Sequence, residues 1–291
     1  MKDFSHWKEY EGASEGSGRS EKKWLIHPDT DQTGLFKFKK DEGTTDHVSE
    51  CIASDLAQVI GIPCARFEIG TFCGREGSMS YNIVEHEGMT LIEGIYCISL
   101  KYHDFDVEKL MDTKTGKKYS LEMIKNVLEE FGLFEDFLPI LIFDFLIGNT
   151  DRHQSNWALI SENHQLRLSP LYDNSSSLCA YVAESKIDLY FGRDRLLWQS
   201  LIDSKSRSLI RIASDDKRLP THAQMLRFLR GNYFGQTEHI INRIEKFVTE
   251  DKICEIVEKY SEVLSQKRKL LIVKYLLSKI EIMLDIYRWK E

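Results

Sequence analysis

Apolar and polar positions along the chain follow two successive rhythms. Early on the period is two: Gly34-Leu-Phe-Lys-Phe-Lys places Leu35, Lys37 and Lys39 on one face of a strand and Phe36 and Phe38 on the other. Lys37 is thereby a cation in an apolar neighbourhood. The stretches ARFEIGTF and SMSYNIVEH continue as strand-like pieces until Glu87-Gly88 breaks the pattern. One helical run interrupts them: from Asp46, residues Val48, Ile52, Leu56 and Val59 or Ile60 recur at helical spacing before Gly61 and Pro63 close the segment. Glu50 rides on this helix. After residue 88 the texture becomes helical, with helices predicted over 121–131, 134–147 and most of the chain from Pro220. From Val257 onward the pattern reads as an amphipathic pair of core helices with Lys and Arg on a solvated face. The order predicts an α+β protein of two lobes, a β-rich N-terminal lobe over residues 1–88 and a mainly helical C-terminal lobe over 89–291.

The most informative break lies between the lobes' textures. The apolar helix 134–147 stops at Gly148-Asn149, and Asp151, Arg152, His153, Gln154, Ser155 and Asn156 follow at once. Apolar residues then resume, predicting a hairpin of 157–160 with 165–168 around Ser-Glu-Asn-His, ended by Pro170 and Asp173-Asn174. Asp151 and Asn156 stand five residues apart on one loop, and the hairpin brings back Asp173, so three oxygen donors can converge. Such donors, without a His or Cys cluster, suit Mg²⁺, which keeps waters and takes other ligands from phosphates. Phosphoryl transfer needs these parts: a carboxylate for the acceptor hydroxyl, metal ligands, and a lysine on the nucleotide. Lys37, paired with Glu50, supplies the last. A D-x4-N match alone is expected about once by chance in a chain of this size. The ordered set carries the weight: a glycine-serine loop, a strand Lys, a helix Glu, the polar loop, a hairpin, then Asp. His153 is expected to brace the loop or to meet a phosphate. Arg152 and Gln154 are expected to face solvent or substrate.

Composition narrows the partners. The chain has 291 residues, 42% of them hydrophobic, enough for a real core. A formal charge of −7 argues against a broad electrostatic footprint for nucleic acid or an anionic membrane, while leaving room for a local basic cleft. The six cysteines are irregularly spaced without a CxxC pair, which predicts reduced, mostly buried thiols rather than a zinc site or disulfide framework. The N-terminus has no apolar segment of signal-peptide type, and the longest apolar run, 138–147, contains Asp144 and is too short to span a bilayer. A cytoplasmic protein without a membrane partner is the expectation.

The segments NTDRHQSNW and LSPLYDNSSS resemble the catalytic and metal-binding segments of the HipA-like serine/threonine kinase family, particularly its short single-chain bacterial members, with resemblance from about residue 12 to residue 180. The resemblance implies a protein-kinase-like two-lobed fold using ATP and Mg²⁺ to phosphorylate protein hydroxyls. Carried over by residue, it implies Asp151 as catalytic base, Asn156 and Asp173 as Mg²⁺ ligands, and Lys37 as the ATP-phosphate contact. Ile83, Val84, Glu85 and His86 would form the hinge that holds adenine through backbone groups. The family also phosphorylates a serine of its own glycine-serine loop, making Ser14, Ser17 and Ser20 candidates; phosphate there would repel the nucleotide's phosphates. The full-length toxins carry an extra N-terminal subdomain that is not expected here, so partnership with a DNA-binding antitoxin in their manner stays open. Two alternatives stand beside this reading, the first a lipid or small-molecule kinase. Phosphoinositide kinases also use D-R-H-x-x-N, although the acidic total and lack of a basic amphipathic helix argue against a membrane surface. A nucleotide-binding pseudokinase is the other, and the complete Lys, Asp, Asn, Asp set speaks against it.

Overall fold

The alternation at Gly34–Lys39 forms a strand whose two faces meet different surroundings. The computed structural model describes residues 1–11, 21–41 and 43–288. Six strands, β1 (Lys2–Asp3), β2 (Lys8–Glu9), β3 (Lys22–Ile26), β4 (Thr33–Phe38), β5 (Phe67–Phe72) and β6 (Arg75–Tyr81), form a sheet in the order β1-β5-β6-β4-β3-β2. Only β1 on β5 is a parallel pairing within it. One face encloses an aromatic core of Phe4, Trp7, Leu25, Phe36, Phe38, Phe72, Met79 and Tyr81. Lys37 points the other way, and the register sets it opposite Ser78 of β6.

Helix α1 (Asp46–Ile60) crosses that outer face. It ends where Gly61 takes a φ of 79° and donates its N–H to the carbonyls of Ala57 and Gln58, a left-handed cap that a Cβ would oppose. Its apolar stripe, including Val48, Ile52, Leu56 and Ile60, belongs to the large core shared with the C-terminal helices rather than to the sheet's aromatic interior.

The helical part opens with β7 (Met89–Glu93) and α2 (Gly94–Ser99), followed by a small ribbon of β8 (Phe105–Asp106) and β9 (Met111–Asp112). Helix α3 (Leu121–Leu128) starts at Ser120, whose Oγ accepts the Met123 N–H at 3.1 Å. It tightens into a 3₁₀ turn at Glu129–Phe131, so the helix expected over 121–131 is of two kinds. Helix α4 (Phe134–Ile147) is apolar nearly all round and buried from Ile140 to its end, as a central core helix should be. Strands β10 (Ala158–Glu162) and β11 (Gln165–Leu168) form the expected hairpin, and β10 also pairs with β7. Its turn is shorter than the expected four residues: Asn163 and His164 alone make it, with φ of 49° and 63°, the primed turn that matches strand twist.

Irregular helical turns and α5 (Arg195–Gln199) lead to α6 (His222–Phe247), α7 (Glu250–Glu258) and α8 (Gln266–Arg288). A capping box between Thr221 and Gln224 starts α6. Two expectations are corrected here. The segment from Val257 holds one long helix after the last residues of α7, and Arg268, Lys269 and Lys279 on α8 are buried instead of solvated. Burial of these cations is possible because carboxylates, carbonyls and hydroxyls meet them: Arg268 bonds Cys179 O at 2.8 Å, and Lys269 bonds Glu258. The cysteines are free, but Cys73 and Cys254 are exposed, so thiol burial is less general than expected. Among the described residues no helix is long and apolar enough to cross a membrane.

Candidate active site

The polar loop after α4 is held by groups that lie beneath it. Gly148 ends the helix with φ 68°, and a Cβ there would strike the Tyr275 hydroxyl. Asn149, 1% exposed, has each of its polar groups engaged. Its N–H reaches Asp144 O at 2.9 Å, its Nδ2 donates to Asp144 Oδ1 at 3.1 Å, and its Oδ1 accepts the Asp151 N–H at 3.1 Å. Its carbonyl lies 2.8 Å from His222 Nε2. Arg152, expected to face solvent or substrate, is instead 1% exposed. Its Nε and Nη2 reach the two oxygens of Asp144 at 3.0 and 2.6 Å, and Nη2 also donates to Asn174 Oδ1 at 2.7 Å. Its Nη1 donates to Asn156 O at 2.8 Å and Tyr172 O at 3.0 Å. One guanidinium therefore ties the loop bearing Asp151 and Asn156 to the residue before Asp173. Gln154 is buried too; the polar run packs inward because the loop closes tightly over these partners.

Within the loop, His153 braces by hydrogen bonds. Its N–H donates to Asp151 O at 2.9 Å, its carbonyl accepts the Asn156 N–H at 2.9 Å, and its Nδ1 accepts the Ser155 N–H at 3.2 Å. Asn156 Nδ2 donates to Asp151 O at 2.7 Å, which leaves the amide oxygen as the end available to a cation. Asp151 is the exposed member of the loop core. Partial desolvation raises its carboxyl above the ordinary range, Asp173 adds to the rise, and His153, Lys40 and Arg152 oppose it.

Across the cleft, Lys37 Nζ donates to Glu50 Oε1 at 2.8 Å and stands 3.2 Å from Asp173 Oδ1. Ser78, its strand neighbour, donates to the other Glu50 oxygen at 3.3 Å. Lys39, on the same face by alternation, lies beyond the strand end and pairs with Glu76 at 3.6 Å. Burial tends to lower the Lys37 pKa, but Asp173 and Glu50 outweigh it and hold the ammonium charged. Burial pushes Glu50 up to about 7, against the pull of Lys37. Asp173 is driven down to about 2 because Lys37 outweighs the effect of burial. Asp173 itself adopts φ 53° and accepts from Ser175 Oγ at 3.2 Å. The cleft here measures about 50 Å³ and is lined by Lys37, Glu50, Ser78 and Asp173 among others.

The Ile83–His86 segment is a loop between β6 and β7, with Ile83 and Val84 half-buried and Glu85 and His86 exposed. The Val84 N–H is already taken by Asn82 Oδ1 at 3.0 Å, and His86 pairs with Glu162 at 2.9 Å. Ser14, Ser17 and Ser20 lie outside the described residues. Among the described residues no group of three or more His, Cys, Asp or Glu is arranged to hold a metal ion. The Asp173 carboxylate and the Asn156 amide oxygen are each hard oxygen donors of the kind Mg²⁺ takes, and Mg²⁺ asks few ligands of a protein. Asp144, Asn149, Asn174 and His222 escaped the sequence reading. Asp144 carried a signal, since a lone carboxylate inside an apolar helix requires a buried partner.

A curled sheet and its crossing helix presenting a Lys–Glu pair, set against a helical part whose loop and hairpin return Asp, Asn and Asp, define a protein-kinase-like fold. The chain belongs to the HipA-like C-terminal domain family, whose model matches residues 14–224. The crystal structure of CtkA, a proinflammatory kinase of Helicobacter pylori, is similar with a TM-score of 0.81 at 18% identity, covering 98% of this chain and 96% of that one. HipA of Shewanella oneidensis MR-1, from its complex with HipB and operator DNA, is similar with a TM-score of 0.56 at 13% identity, covering 94% of this chain and 67% of that one. No curated protein matches the chain in sequence.

Proposed function

We propose that the protein is an ATP-dependent serine/threonine protein kinase. The observation that carries this reading is the Lys37 ammonium held between Glu50 at 2.8 Å and Asp173 at 3.2 Å, with the neighbours of Asp173, Tyr172 and Asn174, tied through Arg152 to the loop of Asp151 and Asn156. Lys37 stays charged and meets the ATP phosphates, with Glu50 fixing its direction. Asp173 and Asn156 hold Mg²⁺, which, when bound, offsets the negative charge of the phosphates. Asp151, exposed and with its carboxyl raised, accepts the proton of the acceptor hydroxyl. His153 keeps the loop closed through its three hydrogen bonds. Adenine is held by peptide groups of Ile83–His86 other than the Val84 N–H, which Asn82 occupies. The acceptor is a protein hydroxyl, including one of Ser14, Ser17 or Ser20 in the chain's own glycine- and serine-rich segment, and the setting is cytoplasmic. Both similar structures are of proteins named as a kinase or as part of a toxin–antitoxin system, which supports the reading. An antitoxin partner for this chain is a weaker proposal, and direct nucleic-acid binding is not part of it.

The test is incubation with labelled ATP and Mg²⁺, beside an Asp151→Asn variant. Label on the protein or on a protein mixture, lost in the variant, is the expected result. Transfer to phosphoinositide vesicles but to no protein would replace the reading with a lipid kinase, and tight ATP binding without transfer with a pseudokinase.

A further inference from the structure

Below the polar loop, four buried groups form a chain from α8 to Asn149. Lys279 Nζ is 3.0 Å from Ser206 Oγ and 3.3 Å from Ile202 O. Ser206 Oγ is 2.9 Å from His222 Nδ1, and His222 Nε2 is 2.8 Å from the Asn149 carbonyl. Lys279 is 0% exposed, Asn149 1%, His222 2% and Ser206 4%.

Chemistry fixes where the protons lie. A carbonyl only accepts, so His222 carries its hydrogen on Nε2. The ring is neutral, because burial foremost and the nearby Lys279 charge lower its pKa to about 3. Nδ1 therefore accepts, and its donor is the Ser206 hydroxyl. Having given its single proton to the ring, Ser206 Oγ accepts from Lys279, which also points at Ile202 O and lies 4.1 Å from the centre of the Phe145 ring. Every bond in the chain donates toward the loop.

What the chain grips is the peptide of Asn149, two residues before Asp151. The other polar groups of Asn149 are committed to Asp144 and to the Asp151 N–H. Its carbonyl is thus the point where α6 and α8 act on the loop. Apolar side chains would fill this interior at no desolvation cost, whereas a buried lysine and a buried imidazole carry one. We infer that His222, oriented by Ser206 and Lys279, is a positioning residue for Asp151, setting the backbone from which its carboxylate reaches the acceptor. The inference rests on the kinase reading above.

The experiment compares wild type with His222→Leu, His222→Gln and Ser206→Ala, measuring kcat, KM for ATP, thermal stability and amide exchange over residues 149–156. Misplacement of a reacting group by about 1 Å costs on the order of 100-fold in rate. The expected result for His222→Leu is a fall in kcat of about 10- to 100-fold, KM for ATP within about twofold, and faster exchange of the Asp151 amide. The glutamine amide can donate to Asn149 O and accept from Ser206, so His222→Gln is expected to recover most of kcat. Ser206→Ala is expected to fall between them. An unchanged kcat in His222→Leu, or a loss that follows the folded fraction and is not recovered by Gln, overturns the inference. If wild type transfers no phosphate, the kinase reading fails; exchange at Asp151 then decides the positioning role alone, and unchanged exchange overturns it.

Discussion

Arg152 and Asp144 meet through two hydrogen bonds of 3.0 and 2.6 Å, one partner from the loop and the other from inside α4, and both are buried. The same guanidinium reaches Asn156, Tyr172 and Asn174. Removing either member leaves the other buried without its counter-charge. Asp144→Ala is expected to lower stability by about 3–5 kcal/mol, read from urea unfolding. Arg152→Lys restores the charge but not the five-donor fork, and is expected to remain well short of wild-type stability.

Replacement of the proposed base separates binding from chemistry. Asp151→Asn is expected to reduce kcat by about 100- to 10,000-fold, the usual contribution of general acid–base catalysis. ATP affinity, measured by calorimetry, is expected to change by less than about threefold, because no nucleotide contact is assigned to this side chain.

Glu50 gives a pH signature. Its folded-state pKa is pushed up to about 7 from the usual 4.5, chiefly by burial. A raised carboxyl pKa means the folded state holds the proton more firmly than the unfolded one. Its contribution to stability is complete below pH 4.5 and is lost as pH rises through about 7. Nucleotide-free Glu50→Gln, which cannot ionise, is expected to show a flatter stability profile across that window in denaturant melts at several pH values.

His222 works in the opposite direction. Its pKa falls from 6.5 to about 3, mainly through burial. Its contribution is present above pH 6.5 and is lost as pH drops toward 3, as the unfolded chain takes up the proton first. His222→Gln is expected to remove this part of the acid sensitivity, seen as a smaller decline in melting temperature between pH 6.5 and 4.

The meeting of Lys37 with Glu50 in the candidate site was legible because strand and helix periods already place both residues. Alternation put Lys37 outward from Phe36 and Phe38, helical spacing put Glu50 on α1, and the structure joins them at 2.8 Å. Periodicity alone did not separate Lys37 from Lys39; the end of β4 at Phe38 did. Arg152 and Lys279 were misread for one reason: polarity predicts exposure only when no buried partner waits. Their partners come from Asp144, eight residues earlier, and from Ser206, 73 residues earlier. The first lay within reach of sequence reasoning, as a carboxylate in an otherwise apolar helix. The second depends on how α6 and α8 pack, which no local pattern encodes.

Helix α1 carries Glu50 to Lys37 while its apolar stripe is packed with the C-terminal helices, and it touches α6 and α7 directly. The lysine facing the cleft therefore takes its carboxyl partner from a helix whose other side is packed into the C-terminal core. The packing of α6 and α7 on α1 thus helps to set where the Glu50 carboxyl stands beside the Lys37 ammonium.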